Sequence, residues 1–86
     1  MNFKTLAKKG AKEILYSLKE KEKMNFTELR DLTGSPTTTS KRLDELTELG
    51  LLERDVQNDK FRSVHYSLTE KGFKIVNLVE KIDEML

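Results

Sequence analysis

Short hydroxyl side chains and two cations stand together in the middle of the chain, in the stretch "SPTTTSKR" from Ser35 to Arg42. Hydroxyl groups donate and accept hydrogen bonds, and lysine and arginine donate to phosphates and to the acceptor edge of guanine. Small side chains also let a helix backbone approach a neighbouring surface. The stretch therefore predicts contact with a polyanion that displays hydrogen-bonding edges, as double-stranded DNA does. The contacting residues that we predict are Ser35, Thr37, Thr38, Ser40, Lys41 and Arg42.

The same stretch has the signals of a helix start. Ser35 suits the cap position, and Pro36 suits the first helical position, where an amide hydrogen would find no partner. We predict a helix over residues 36–49 that stops at Gly50. At 100° per residue its hydroxyl and cationic face lies opposite a core-facing side formed by Thr39, Leu43 and Leu46. Acidic side chains come only later in this helix, at Asp44, Glu45 and Glu48, where they need not meet DNA.

A shorter helix is predicted just before this one, over residues 26–33. Asn25 and Glu28 have the spacing of a capping box, and Gly34 is suited to end the helix. Two helices joined by a short turn with a glycine form a helix-turn-helix, whose second helix enters the major groove by its amino-terminal turns. The free amides of those turns also favour a phosphate.

The remaining elements follow from the period of the apolar residues. An apolar stripe of helical period predicts one helix over residues 4–21, and "KEKMN" after it is a polar break. "LLERDV" and "FRSVHYSL" alternate with period two and predict a hairpin over residues 51–67, followed by a helix over residues 70–85. We predict an α+β fold, mostly α, in a single domain over residues 1–86.

The apolar face of the last predicted helix is wider than packing on one small core requires. Four apolar residues of this helix are spaced by three, four and three, as in a heptad seam. We predict that Phe73 and Val76 dock to the domain while the later residues pair with a second subunit; the alternative is one wide face on a single core. The residues predicted to face a second subunit are Leu6, Ile75, Leu78, Ile82 and Met85. A two-fold homodimer would place two groove-entering helices about 34 Å apart on a pseudo-palindrome.

Composition excludes several classes of function. The 86 residues include no cysteine and one histidine, so thiolate metal sites and cysteine nucleophiles are excluded. We expect no metal, no cofactor and no enzymatic activity, because we find no nucleophile–base pair and no glycine-rich phosphate loop. No apolar run approaches the ~20 residues that span a bilayer, and the amino-terminal stretch is not a secretory signal. We therefore expect a cytoplasmic protein.

From Gly10 to about Val79 the chain resembles the winged helix-turn-helix of small prokaryotic transcription regulators of the MarR and HxlR type. The segments that carry the resemblance are "FTELRDLTG", "SPTTTSKRLDELTELGLLER" and "VHYSLTEKG". It implies three helices, a two-stranded hairpin wing and a C-terminal helix. It also implies a transcriptional regulator, here expected to be archaeal, that binds double-stranded DNA sequence-specifically with the recognition helix in the major groove.

In such families the hairpin is a wing that lies along the DNA backbone or reaches a minor groove. The wing residues that match this role are Arg54, Lys60 and Arg62. The usual tryptophan and cysteine near the first helix of the HxlR type are missing here, so redox or aldehyde sensing does not carry over, and any small-molecule effector is unknown. The alternative function is a winged-helix module that binds another protein and no DNA.

Overall fold

The computed structural model describes residues 3–58, 60 and 63–86. These residues form five helices and three strands. The helices are α1 Phe3–Ala7, α2 Ala11–Lys21, α3 Phe26–Thr33, α4 Pro36–Glu48 and α5 Glu70–Met85. The strands are β1 Lys23–Asn25, β2 Leu52–Val56 and β3 Val64–Leu68.

The first predicted helix is divided in two, and the prediction of one helix over residues 4–21 is wrong. Gly10 has φ of 91°, a left-handed conformation that interrupts helical hydrogen bonding and places this residue before α2. A β-carbon added at Gly10 would lie 3.2 Å from the Thr33 Cγ2 atom and 3.6 Å from the Thr38 Cγ2 atom. Glycine thus allows the turn between α1 and α2 to pack directly against the helix-turn-helix.

The turn between α3 and α4 is fixed by its own side chains. The capping box predicted for α3 is present, since the Glu28 amide donates to Asn25 Oδ1 at 2.9 Å and the Asn25 amide donates to Glu28 Oε1 at 3.0 Å. Ser35 Oγ accepts from the Thr38 amide at 3.2 Å and caps α4. The buried Thr39 hydroxyl donates to the Ser35 carbonyl at 2.8 Å and forms a 2.6 Å hydrogen bond with the Thr33 hydroxyl of α3, so α4 begins at a defined position relative to α3.

A third strand covers the segment predicted to be a polar break. The sheet is antiparallel in the order β1-β3-β2, and Met24 of β1 pairs with Tyr66 of β3. Both side chains are buried, with 1% and 6% of their surface exposed. A strand of three residues is too short to show an alternating pattern, so it is recognised only by its pairing with β3.

The core lies between α2, α3, α4, the sheet and the first half of α5. Its fully buried members include Leu15, Leu18, Leu43 and Leu46, and Val76 of α5 contributes one more. Phe73, predicted to dock beside Val76, instead has 39% of its surface exposed. Gly72 is buried and lies about one helical turn before Val76, so these two residues face the core together. Phe73 follows Gly72 directly and therefore points toward the edge of the contact.

Candidate nucleic-acid interface

The first two turns of α4 present their hydroxyl and cationic face to solvent. Thr37, Ser40 and Lys41 are exposed, while the opposite face of the helix is buried at Thr39, Leu43 and Leu46. Ser35 is half-buried where it caps the helix through the Thr38 amide, and Thr38 is half-buried where its side chain faces Gly10. The structure therefore brings Thr37, Ser40 and Lys41 to one outer side of α4. Ser35 stands at its start, and Thr38 lies on the flank that faces Gly10.

Arg42, the sixth predicted residue of this stretch, lies on the flank of α4 that faces the turn between α1 and α2. Its Nε donates to the carbonyl oxygen of Lys9 at 3.0 Å, and its guanidinium pairs with Glu45 one turn later. Only 14% of the side chain is exposed. Arg42 is thus held by the protein itself and is not grouped with Lys41, because successive helical residues point about 100° apart.

Glu45 completes a small network on this flank. Its other carboxylate oxygen accepts from the Lys8 ammonium at 2.6 Å. The hydrogen bond from Lys8, with the nearby Arg42 charge, lowers the pKa of Glu45, so the carboxylate is ionised and paired at neutral pH. We call this network of Lys8, the Lys9 carbonyl, Arg42 and Glu45 the α1–α4 clamp.

Asp44 lies on the same outward face as Lys41, which the sequence pattern did not lead us to expect. Both residues are exposed and stand three positions apart, which places them side by side on a helix. Neither forms an ion pair within residues 3–58, 60 and 63–86, whereas Glu45 next to Asp44 has two cationic partners. Within that described part of the chain, the outward face of α4 thus offers hydroxyls, a free cation and a free carboxylate, in that order along the helix.

The hairpin of β2 and β3 supplies two of the three predicted wing cations. Arg54 is exposed and stands opposite Tyr66 in the β2–β3 register, and Lys60 is exposed near the tip. A hydrogen bond of 2.7 Å from the Gln57 amide to the Ser63 carbonyl continues the strand pairing beyond the named strands. Arg62 lies outside the described residues.

The carboxyl-terminal end of α4 is fastened to the start of α5. Thr69 Oγ1 donates to the Gly50 carbonyl at 2.6 Å, and Lys71 Nζ donates to the Leu49 carbonyl at 2.8 Å. Gly72 lies so close to Leu51 that an added β-carbon would overlap the Leu51 carbonyl oxygen. We call these contacts the α4–α5 latch. They give three residues of the "TEKG" stretch that follows β3 a structural role.

All five residues predicted to face a second subunit line one apolar groove of about 500 Å³. The groove is formed by α1, α5 and the end of α4, and its predicted lining residues are Leu6, Ile75, Leu78, Ile82 and Met85. Phe3 of α1 also lines it and is 57% exposed. Leu78, Ile82 and Met85 leave 55%, 45% and 85% of their surfaces exposed, although all three are apolar.

The polar side of α5 is tied to α2. Lys12 pairs with Asp83 at 3.2 Å, Tyr16 donates a hydrogen bond to the same carboxylate, and Lys19 pairs with Glu80. The bond to Asp83 raises the pKa of Tyr16 to about 12 and lowers the pKa of Asp83. With its polar side occupied in this way, α5 leaves its apolar side in the groove uncovered.

Within residues 3–58, 60 and 63–86, no helix has the length and apolar character to cross a bilayer. In the same part of the chain, no group of three or more histidine, aspartate or glutamate side chains is arranged to hold a metal ion.

The fold and the arrangement of its helices match known regulators. A transcriptional regulator from B. subtilis, YodB in its reduced form, superposes with a TM-score of 0.83 at 26% identity, covering 96% of this chain and 82% of that one. The diamide-treated form of YodB gives a TM-score of 0.85, also at 26% identity, with coverage of 96% and 83%. The winged helix-turn-helix predicted from the sequence is thereby confirmed.

Sequence comparison gives the same result. An uncharacterized HTH-type transcriptional regulator of Methanocaldococcus jannaschii is 34% identical over 86 residues, covering 93% of this chain and 74% of the relative. Another such regulator of that organism is 34% identical over 91 residues, covering 99% and 84%. The model of the HxlR-like helix-turn-helix family matches residues 5–86. The chain therefore belongs to the HxlR-like helix-turn-helix family of transcription regulators.

Proposed function

We propose that the protein binds double-stranded DNA sequence-specifically as a homodimer, with α4 of each subunit in the major groove. The observation that carries this proposal is the outward face of the first turns of α4, where Thr37, Ser40 and Lys41 are exposed together. A helix-turn-helix inserts these turns into the groove, and hydroxyl and ammonium groups there can bond to base edges and phosphates. In a family of transcription regulators, this face is the natural contact with an operator.

The wing supports the proposal from a second position. Arg54 and Lys60 are exposed on the hairpin, and cations on a wing neutralise backbone phosphates beside the groove that α4 occupies. Contacts of that kind hold the protein in register but do not distinguish one base pair from another. We expect base reading to come from α4 and a large part of the salt-dependent affinity to come from the wing.

The uncovered apolar side of α5 supports the homodimer. Leu78, Ile82 and Met85 stand on one side of α5, each at least 45% exposed, and burying them against a second copy removes apolar surface from water. A second copy is the favoured occupant because the heptad spacing of these residues suits pairing with an identical helix. A two-fold axis beside α5 would give two recognition helices facing successive turns of one DNA face.

Selection of bound sequences from a random pool of duplexes, repeated at two salt concentrations, tests the proposal directly. We expect enrichment of a pseudo-palindrome with half-sites one helical turn apart, and an affinity that falls steeply as salt rises. Weak binding without any enriched sequence would contradict sequence-specific recognition. The absence of any salt-dependent binding would instead favour a module that binds another protein.

Lys41→Ala is expected to weaken operator binding by about 1–3 kcal/mol, roughly 5- to 150-fold, and to lower the salt slope by about one. The reason is that Lys41 is exposed on the outward face of α4 and its ammonium has no partner in the described part of the chain. Fluorescence anisotropy with labelled operator at several salt concentrations measures both quantities. Lys21→Ala is the matched control, because Lys21 is exposed at the far end of α2. Equal losses for the two variants would remove Lys41 from the interface.

Asp44→Asn is expected to change which base is selected at one position of each half-site. A carboxylate in the major groove accepts a hydrogen bond from the cytosine amino group and repels the acceptors of guanine, whereas an amide suits adenine. Asp44 is exposed beside Lys41, so we expect a cytosine preference in the wild type that weakens or moves to adenine in the variant. The pool selection reads this out, and an unchanged base profile would show that Asp44 faces solvent in the complex.

A further inference from the structure

Helix α1 and the turn that follows it belong to two neighbouring surfaces. Phe3 and Leu6 line the apolar groove that the proposed second subunit covers. Immediately afterwards, the Lys8 ammonium and the Lys9 carbonyl contact α4 through the α1–α4 clamp. The subunit contact and the DNA-reading helix are therefore joined by only a few residues of chain.

The clamp is built for one geometry. The planar guanidinium of Arg42 gives one donor to the Lys9 carbonyl through Nε and another to Glu45, and lysine has no such fork. A β-carbon at Gly10 would lie 3.2 Å from Thr33 Cγ2 and 3.6 Å from the Arg42 Cγ atom, so the turn sits directly against the helix. For Arg42 to reach DNA, both of its bonds would have to break and the Lys9 carbonyl would lose its donor.

The latch holds the carboxyl-terminal end of α4. Thr69 and Lys71 bond to the carbonyls that follow the helix, and they belong to the segment that opens α5. Helix α4 is thus held at Arg42 and Glu45 by the turn that follows α1, and just beyond its carboxyl-terminal end by the start of α5. Without the clamp, α4 would pivot about the latch together with α3, to which Thr39 joins it through the Thr33 hydroxyl, and its amino-terminal turns would move most.

We propose that the α1–α4 clamp sets the distance between the two recognition helices of the dimer, and that Arg42 is a positioning residue and not a DNA contact. The inference rests on the proposed function. The lever is long enough to matter, since α4 spans 13 residues and is about 20 Å long. A pivot of about 10° would displace its first turn by roughly 3 Å, close to the ~3.4 Å rise of one base pair.

The proposal is tested by measuring how the wild type, Arg42→Lys and Glu45→Gln bind a library of operators with different spacings. The library presents two selected half-sites with their centres separated by one to three base pairs more or fewer than in the best operator. We expect the wild type to prefer one spacing by at least about tenfold. Both variants should bind several spacings within about threefold of each other, because either substitution removes the fork between Arg42 and Glu45. The double variant should discriminate between spacings about as well as either single variant, because all three lose the same network.

The salt slope separates a positioning residue from a contact. If Arg42 touched phosphates or bases, Glu45→Gln would release it, so affinity and salt slope would rise and the spacing preference would stay sharp. A positioning role predicts the reverse: a broadened spacing preference with an unchanged slope in both variants. Glu70→Gln is the matched control, since its ion pair with Lys74 lies within α5, and it should keep the wild-type profile.

Two results would overturn the inference. The first is a sharp wild-type spacing preference retained by both clamp variants while Lys41→Ala loses affinity as expected, which would leave the proposed function intact. The second is a wild type that selects no operator, which would remove the proposed function and this inference together. Circular dichroism melts accompany each variant, and because Arg42→Lys keeps the charge and Glu45→Gln the shape, either one that folds is sufficient for the test.

Discussion

Gly72→Ala is expected to lower the free energy of unfolding by about 3 kcal/mol, the upper end of the usual range for overpacking. The added methyl group would overlap the Leu51 carbonyl oxygen, lie 3.1 Å from its carbonyl carbon and lie 3.2 Å from Leu68 Cδ2. The Leu51 carbonyl cannot easily move away, because it already accepts from the Thr69 amide at 3.0 Å. In a chain of this size, such a loss corresponds to a melting temperature lower by roughly 10–25 °C. Thermal and urea unfolding followed by circular dichroism measure it.

The direction of the stability change in Gly72→Ala tests the close contact between Gly72 and Leu51. Gly72 lies in the first turns of α5 with no positive φ, so without the close contact alanine would stabilise the helix by up to about 1 kcal/mol. Gly34→Ala is the control, because no atom lies within 4 Å of its added carbon and its φ of 77° imposes a conformational cost alone, about 1–2 kcal/mol. A Gly72→Ala protein as stable as the wild type would show that the latch is looser than described.

Local signals predicted the helix-turn-helix well. The capping box of α3, the Ser35 cap and the helical period of α4 depend on residues within one or two turns of each other. Each of these is visible in a single sequence because the interacting atoms belong to neighbouring residues. The outward position of Thr37 and Lys41 follows from the same periodicity, which fixes their angle to the buried Thr39 and Leu43.

Contacts between distant segments were not predictable in the same way. A helical wheel places Arg42 on a flank, but only the fold shows that the turn at Gly10 covers that flank and engages the guanidinium. The break at Gly10 was hidden because the apolar stripe continues across it, and glycine alone is tolerated in a helix at a cost of about 1 kcal/mol. The need for glycine at position 72 likewise depends on Leu51, which follows a different helix.

Ile82→Glu is expected to convert the proposed dimer into folded monomers. Ile82 is 45% exposed in the single chain and lines the groove that we assign to a second copy. A carboxylate there can stay hydrated in the monomer, whereas an apolar contact between two subunits would bury it without a partner and disfavour association. Sedimentation velocity should show the monomer coefficient, and circular dichroism should show an unchanged helix content.

A control with the same chemistry separates the groove from exposed apolar residues in general. Val56→Glu introduces the same carboxylate at a side chain that is 48% exposed, but on the hairpin and away from α5. It should sediment as a dimer. If Ile82→Glu also remained a dimer, the subunit interface would lie elsewhere and the heptad spacing of α5 would need another explanation.

The Ile82→Glu substitution should also weaken binding to the full operator, because its two half-sites would then be bound by separate subunits. A monomer keeps α4 and the wing, so its affinity for a single half-site should equal that of one wild-type subunit. It loses the high effective concentration that a bound subunit gives its partner, so affinity for the full operator should fall by about 10²–10⁴-fold. Anisotropy titrations with half-site and full-site duplexes measure both affinities. A similar fall on both duplexes would mean that the Ile82→Glu substitution disturbs the recognition helix itself, because only separation of the subunits leaves half-site binding intact.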